Sequence, residues 1–342
     1  MIIEVFLLFF SLGLILLCAE FFTNAVEYIG TKLSLSQAVV GNLIAAVGTA
    51  LPETIIPIVA IIFHKGKGGE EIGIGAIIGA PFMLITMGMF LVGSGILCGN
   101  LLKTRKYVLP VEKNIFIKDM KFFLFSFGLA VLCAKIFPEN KMLHYVVGFI
   151  LLINYAFYVI STFKTTSAKM QSKQELYLLK IFNFFKFPTV LMKFGIFWGI
   201  FQTVLSLLIM VKGAHIFVGS LKKIALTLGF DPLLFALIVA PVATELPEKF
   251  NSFLWSLRGK DILAVGNITG AMVFQSTFPV TIGLWFTSWK ISSFALISCY
   301  MALLLALVYA FLICVYKKIP LPMLLLSGIL YIVYGILVFF NI

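Results

Sequence analysis

Glu53 and Glu248 each directly follow a proline inside a long apolar run. The residues around them repeat: 45–53 reads Ala-Ala-Val-Gly-Thr-Ala-Leu-Pro-Glu and 240–248 reads Ala-Pro-Val-Ala-Thr-Glu-Leu-Pro-Glu, identical at six of nine positions at an offset of 195. A second echo, GIGAIIGA at 73–80 and AVGNITGA at 264–271, follows at an offset of 191. A carboxyl group within a membrane-spanning run is costly, and marks an ion or proton site by default. Pro52 and Pro247 cannot donate to the carbonyls four residues back, Gly48 and Ala243, which are left free. Free carbonyls at membrane depth are tolerated where they are buried in protein or line a polar cavity. Carbonyl, threonine hydroxyl and carboxylate oxygens together suit a hard cation such as Na⁺ or Ca²⁺. A lone glutamate could instead be a protonated interhelical hydrogen-bonder, but two at repeat-equivalent positions favour a site.

The elements that must position these groups are membrane helices. Of 342 residues, 61% are hydrophobic and 12% charged, and the mean hydropathy is +1.11. Soluble chains carry about 25% charged residues, so lipid solvates the bulk of this one. That excludes cytosolic enzymes and soluble nucleic-acid binders, despite a net charge of +12. Apolar runs long enough to span fall at 2–30, 37–63, 71–98, 121–137, 142–163, 194–220, 232–257, 262–289, 291–316 and 321–341, each near the roughly 20 residues a span requires. The expected fold is an all-α polytopic membrane protein of about ten transmembrane helices. Loops after odd-numbered spans carry 17 Lys and Arg, and those after even-numbered spans carry 7. The positive-inside rule then places the odd-numbered loops in the cytoplasm and both termini outside. Residues 1–22 open with Glu4 and lack a cationic leader and a cleavage site, so they read as a retained first span. The five cysteines show no metal-ligand or disulfide spacing and read as apolar fillers.

Five spans separate the two motif copies, an odd number, so the second half is inverted relative to the first. Inverted repeats with Pro-interrupted helices at matching places are the sequence pointer to a secondary transporter's binding site. The expected organisation is a first five-helix repeat at 1–163 with motif segments 41–53 and 73–84, a basic cytoplasmic linker at 164–193, and a second repeat at 194–342 with motif segments 236–248 and 264–275.

The paired Thr-x-Leu-Pro-Glu segments resemble the α-repeats of the cation/calcium exchanger superfamily, the sodium/calcium exchangers and their prokaryotic relatives. The resemblance covers nearly the whole chain and implies ten helices alternating access around a central cation site in a prokaryotic inner membrane. It implies that Glu53 and Glu248 are the core ligands, that Thr49 and Thr244 are the motif threonines, and that Ala46 and Pro241 offer backbone carbonyls. The motif serine is Ala50 in one copy and Glu245 in the other, and both serines of the Gly-Ser-Asn-like turns are lost, at Ala80 and Ala271. The polar ligand four residues beyond is Leu84 in one half and Gln275 in the other, where an amide oxygen remains. Oxygens that would build flanking sodium sites are thus missing.

Glu245 lies three residues before Glu248, so a regular helix puts both on one face, although a break at Pro247 would alter that spacing. Three clustered acids cannot all be ionised together, which favours proton coupling or inhibition by acid. Lys249 either neutralises one of them or snorkels toward an interface. Glu20 and His215 are equivalent at the offset of 195, with Lys212 one turn before His215. They read as an interfacial cluster holding spans one and six, with a relay or gate as the alternative. Gly75, Gly79, Gly266 and Gly270 follow small-xxx-small spacing and predict close helix packing; Pro81 and Pro279 predict bends. The linker, with six Lys interleaved with Phe182, Phe184, Phe185 and Phe187, reads as a basic amphipathic helix on anionic lipid, and positive-inside placement accounts for its charge without nucleic acid.

The leading expectation is a secondary cation antiporter exchanging Ca²⁺ for Na⁺ or H⁺, with small inorganic cations and membrane lipids as partners and no cofactor beyond the transported ions. The alternatives are a divergent exchanger of the same fold, coupled to H⁺ or selective for another cation, and a non-transporting ion sensor. An enzyme is not expected, because His64, His144 and His215 are far apart in sequence and no nucleophile motif occurs. Oligomeric state has no sequence signal.

Overall fold

The computed structural model describes residues 1–33, 50–64, 68–103, 105, 109, 111–163, 175–184 and 195–340. These form twelve helices, and no strand occurs among them. In chain order they are α1 (Ile2–Lys32), α2 (Leu51–Phe63), α3 (Gly69–Leu101), α4 (Lys113–Ile136), α5 (Lys141–Phe163), α6 (Tyr177–Phe184), α7 (Gly195–Thr227), α8 (Pro232–Leu257), α9 (Asp261–Gln275), α10 (Phe278–Phe286), α11 (Ser293–Tyr316) and α12 (Leu321–Phe340). Six of the described helices, α1, α3, α5, α7, α11 and α12, are long and apolar enough to cross a membrane. The remaining expected spans fall on helices that are short (α2), split (α9 and α10) or interrupted by charge (α4 and α8). Large apolar side chains such as Phe9 on α1, Phe157 on α5, Phe311 on α11 and Ile332 on α12 point outward, as a lipid-facing surface requires.

Two of the longest helices, α1 and α7, pack along one another. Gly213 seats against Ile15, and Gly199 against Ile29, so the pair runs antiparallel. This register places Glu20 level with Leu208, about two turns from His215. The expected Glu20–His215 cluster therefore does not form. Glu20 accepts a hydrogen bond from Tyr177 of α6 at 2.8 Å, while His215 lies 3.0 Å from His64 at the end of α2, ring nitrogen to ring nitrogen.

The other helices pack as matched pairs. α4 lies on α9 and α11 on the first part of α3, while α5 lies on α10 and α12 on the last part of α3. Between its two parts α3 holds a π turn at Leu84–Gly88, just after Pro81. Ser327 of α12 donates to the Thr86 carbonyl inside that turn, at 3.0 Å. At the equivalent place in the second half the chain breaks outright, between Gln275 and Phe278, with Pro279 in the first turn of α10. Both prolines thus sit at interruptions, as expected of residues that remove a helical hydrogen bond.

The helix α8 is instead continuous from Pro232 to Leu257 with Pro241 and Pro247 inside it. This corrects the expected break at Pro247. Its N-terminus is fixed by Asp231, whose Oδ1 accepts from the Leu234 amide at 3.0 Å, and its flank is held by α3. A Cβ on Gly75 would sit 2.2 Å from the Leu233 carbonyl oxygen, and one on Gly79 2.1 Å from that of Leu237. The Leu237 carbonyl is the one Pro241 cannot reach, so the glycine contact shields a backbone group that the proline leaves unpaired.

At one end of the bundle Arg105 closes the turn between α8 and α9. Its Nη1 and Nη2 donate to Oδ1 and Oδ2 of Asp261 at 2.6 and 2.8 Å, and Nη1 also donates to the Ser256 carbonyl. The two side chains are only 7% and 2% exposed. Removing one member of a buried pair strands the other charge, at a cost of about 3–5 kcal/mol. Arg105→Met is therefore expected to lower the thermal unfolding temperature in detergent by several degrees, and an unchanged transition would show that the pair does not hold this turn.

Candidate functional site

Because α8 stays helical through its prolines, Glu245, Glu248 and Lys249 occupy successive places on a single face, three and four residues apart. The helix α2 supplies Glu53 in its first turn, with Pro52 at a position where no helical donor is needed. Thr54 donates to the Ala50 carbonyl at 2.7 Å.

These groups meet at two adjoining cavities. The larger, about 260 Å³, is lined by Glu53 and Ala50, by Glu248 and Lys249 of α8, by Gly266, Asn267, Gly270 and Gln275 of α9, and by Tyr155, Tyr158 and Thr162 of α5. The smaller lies between Glu53 and Pro57 of α2, Ala76 and Ala80 of α3, and Pro241, Thr244 and Glu245 of α8. Glu53 belongs to both and sits 6% exposed between them. Its Oε2 and both oxygens of Glu245 are buried without a hydrogen-bond partner. Orphaned carboxyl oxygens of this kind call for a proton or a cation. Glu248 is only partly buried; Lys249, 3% exposed, donates to its Oε1 at 2.9 Å.

The structure therefore brings together Glu53, Glu248, Glu245, Thr244, Gln275 and Pro241, while Thr49 and Ala46 lie outside the described residues. The Thr244 hydroxyl donates to the Ala240 carbonyl at 3.0 Å and keeps its lone pairs for the small cavity. Glu245 and Glu248 face different cavities, and among the described residues no three His, Cys, Asp or Glu side chains converge as a metal site. A cation here would take Glu53 with Glu248 or Glu53 with Glu245, and complete its shell from amide, hydroxyl and carbonyl oxygens.

The four glycines divide. Gly75 and Gly79 make the close contact with α8, but a Cβ on Gly266 would meet nothing within 4 Å, and one on Gly270 only the Tyr158 hydroxyl at 3.6 Å. The expectation of close packing fails for the second pair, because α9 stands off from α2 across the larger cavity.

Sequence reading missed three wall residues and one carboxylate. Tyr155, Tyr158 and Thr162 form a polar stripe at i, i+3 and i+7, a signal that was legible. Asp119 of α4, 2% exposed, accepts from Thr269 at 2.6 Å directly behind Gly270. Its neighbours Lys118 and Lys121 made the segment read as loop.

The linker yields only α6 to description. The Asn24 side chain of α1 accepts from the Tyr177 amide at 2.9 Å, and Gln202 of α7 accepts from Leu178 at 3.0 Å. Leu176 is fully buried beside Ala25 and Tyr28. This stretch is docked on α1 and α7; Phe185 and Phe187 lie outside the described residues.

The profile of the sodium/calcium exchanger protein family matches residues 3–164 and 198–342. An uncharacterized membrane protein of Methanocaldococcus jannaschii is 25% identical over 277 residues, 80% of each chain. The fold is that of the crystal structure of an H⁺/Ca²⁺ exchanger, CAX (TM-score 0.70, 17% identity, 99% of this chain and 84% of that one). It is also that of the sodium-calcium exchanger NCX_Mj (TM-score 0.54, 21% identity, 97% of each chain).

Proposed function

Since the chain belongs to the sodium/calcium exchanger protein family, an integral membrane family of secondary transporters, we propose that it is an antiporter exchanging Ca²⁺ for Na⁺ or H⁺ around Glu53 and Glu248. The observation that carries this reading is the meeting of the two motif glutamates at one cavity, with an oxygen of Glu53 and both of the neighbouring Glu245 satisfied by no protein group. Ca²⁺ takes six to eight oxygens in flexible geometry, and the carboxyls of Glu53, Glu245 and Glu248 with Thr244, Gln275 and the backbone carbonyls of Pro241 and Ala46 supply oxygens of that kind.

In this reading residues 1–163 and 194–342 are inverted five-helix repeats joined by the linker at 164–193. The matched packing of α4 on α9 with α11 on α3, and of α5 on α10 with α12 on α3, supports it. The larger cavity runs along the last turns of α5 and from Gly266 to Gln275 of α9, and its Thr162 and Gly266 end is the one that carries the strongly basic loops. We therefore assign it to the cytoplasmic side, with both termini outside. Transport consists of closing α9 onto α2 while α8 separates from α3, and α1 with α7 slides across the site.

Proton coupling is the second reading, favoured by the crowding of Glu245 and Glu248 on Glu53 and by the motif serines that are missing. Uptake of ⁴⁵Ca²⁺ into proteoliposomes, driven in separate runs by a Na⁺ gradient and a pH gradient, decides between the two. One gradient is expected to drive uptake well above leak. Absence of uptake under both would overturn calcium antiport, and Ca²⁺ binding retained without flux would favour an ion sensor.

A further inference from the structure

We propose that Lys249 is a tethered cation of the site, which fixes the charge that the transported ions must balance and competes with them for the carboxylates. The inference rests on the antiporter reading and adds its charge stoichiometry. A lysine 3% exposed inside a cavity is not snorkelling. Its Nζ donates to Glu248 at 2.9 Å, Glu53 lines the same cavity, and Glu245 stands one turn before it on α8. The cavity walls around it, Tyr155 and Tyr158 of α5 and Asn267 and Gln275 of α9, bring no other formal charge.

When all three carboxyls release their protons to bound cations, the carboxylates and the ammonium sum to minus two. A single divalent cation brings that sum to zero, and so do two monovalent cations. Buried uncompensated charge is strongly disfavoured, so both loaded states are neutral and the exchange of one divalent for two monovalent ions moves no net charge. Without Lys249 the site would hold minus three, and a third monovalent charge would have to accompany each cycle. The ammonium thus occupies the place of one co-ion. It also lowers affinity for every mobile cation, because each must displace it from, or share with it, the carboxylates of Glu248 and its neighbours.

The test measures equilibrium binding of ⁴⁵Ca²⁺ and of Mn²⁺ to the purified full-length protein, and ⁴⁵Ca²⁺ uptake into proteoliposomes clamped at positive and negative potentials with valinomycin and K⁺. Lys249→Met and Lys249→Gln are expected to bind both ions more tightly by about tenfold or more, given the size of a unit-charge interaction at such separations. Restoring the charge with Lys249→Arg reverses that gain. Wild-type uptake should be indifferent to the sign of the clamp, and uptake by the neutral variants should follow it. Binding by the neutral variants that is unchanged or weaker would overturn the proposal and reduce Lys249 to a packing role, as would wild-type uptake driven by potential. Should Lys249→Met fail to fold, the glutamine variant and the wild-type clamp still decide. Failure of the antiporter reading is recognised separately, by wild-type binding that is insensitive to Glu53→Gln.

Discussion

Replacing Glu53 or Glu248 with glutamine is expected to lower ⁴⁵Ca²⁺ uptake into proteoliposomes by about a hundredfold or more, the equivalent of losing about 3 kcal/mol of cation stabilisation at a buried site. The two substitutions should differ in their effect on the protein itself. Oε2 of Glu53 has no partner within the protein, so Glu53→Gln removes a buried carboxyl without stranding a donor. Its thermal transition in detergent should match or exceed that of the wild type. Glu248→Gln removes the acceptor of the Lys249 ammonium and leaves a buried cation facing an amide, so its transition should fall. Loss of transport in a variant that is as stable as the wild type places the defect at the site and not in folding. Wild-type uptake by Glu53→Gln would refute its role as a ligand.

Gly270→Leu is expected to fold normally and to abolish exchange, whereas Gly79→Ala is expected to damage the fold. The two glycines are equivalent by the internal repeat, at an offset of 191, but their surroundings differ. A Cβ on Gly79 meets the Leu237 carbonyl oxygen at 2.1 Å, far inside van der Waals contact, and forcing it there costs about 3 kcal/mol or more. Gly270 faces the larger cavity, where the nearest atom to such a Cβ is the Tyr158 hydroxyl at 3.6 Å. If α9 must close on α2 as α3 is closed on α8, a leucine at 270 holds the site open on one side. Thermal unfolding of both variants, read beside ⁴⁵Ca²⁺ binding and uptake, separates these effects: Gly270→Leu keeps its transition and its binding but loses flux by about tenfold or more. Unimpaired flux in Gly270→Leu would mean that α9 does not approach α2 along this face during the cycle.

Sequence alone determined the solvent and named the candidate site. A chain with 12% charged residues has lipid around it, and carboxyl groups inside apolar runs must then be satisfied by protein, protons or ions. The repeat of Thr-x-Leu-Pro-Glu could be read residue by residue, and so named Glu53, Glu248, Thr244 and, through their spacing, Glu245 before any coordinates. The six described helices long and apolar enough to span followed from apolar run length, since a bilayer fixes that length.

Tertiary structure decided what spacing along one helix cannot express. Whether a proline breaks a helix depends on what packs against the carbonyl it leaves free: α3 shields the Leu237 carbonyl that Pro241 leaves free, and α8 runs on without a break to Leu257. Whether Glu20 meets His215 depends on the register between α1 and α7, set by Gly199 and Gly213 on the facing helix. Identical small-xxx-small patterns gave a tight seam at Gly79 and an open wall at Gly270, because the two halves of a repeat occupy different environments in a single state. The burial of Lys249 among the carboxyls, and of Asp119 behind the cavity wall, arises from helices brought together by long-range packing. No one-dimensional pattern carries that information.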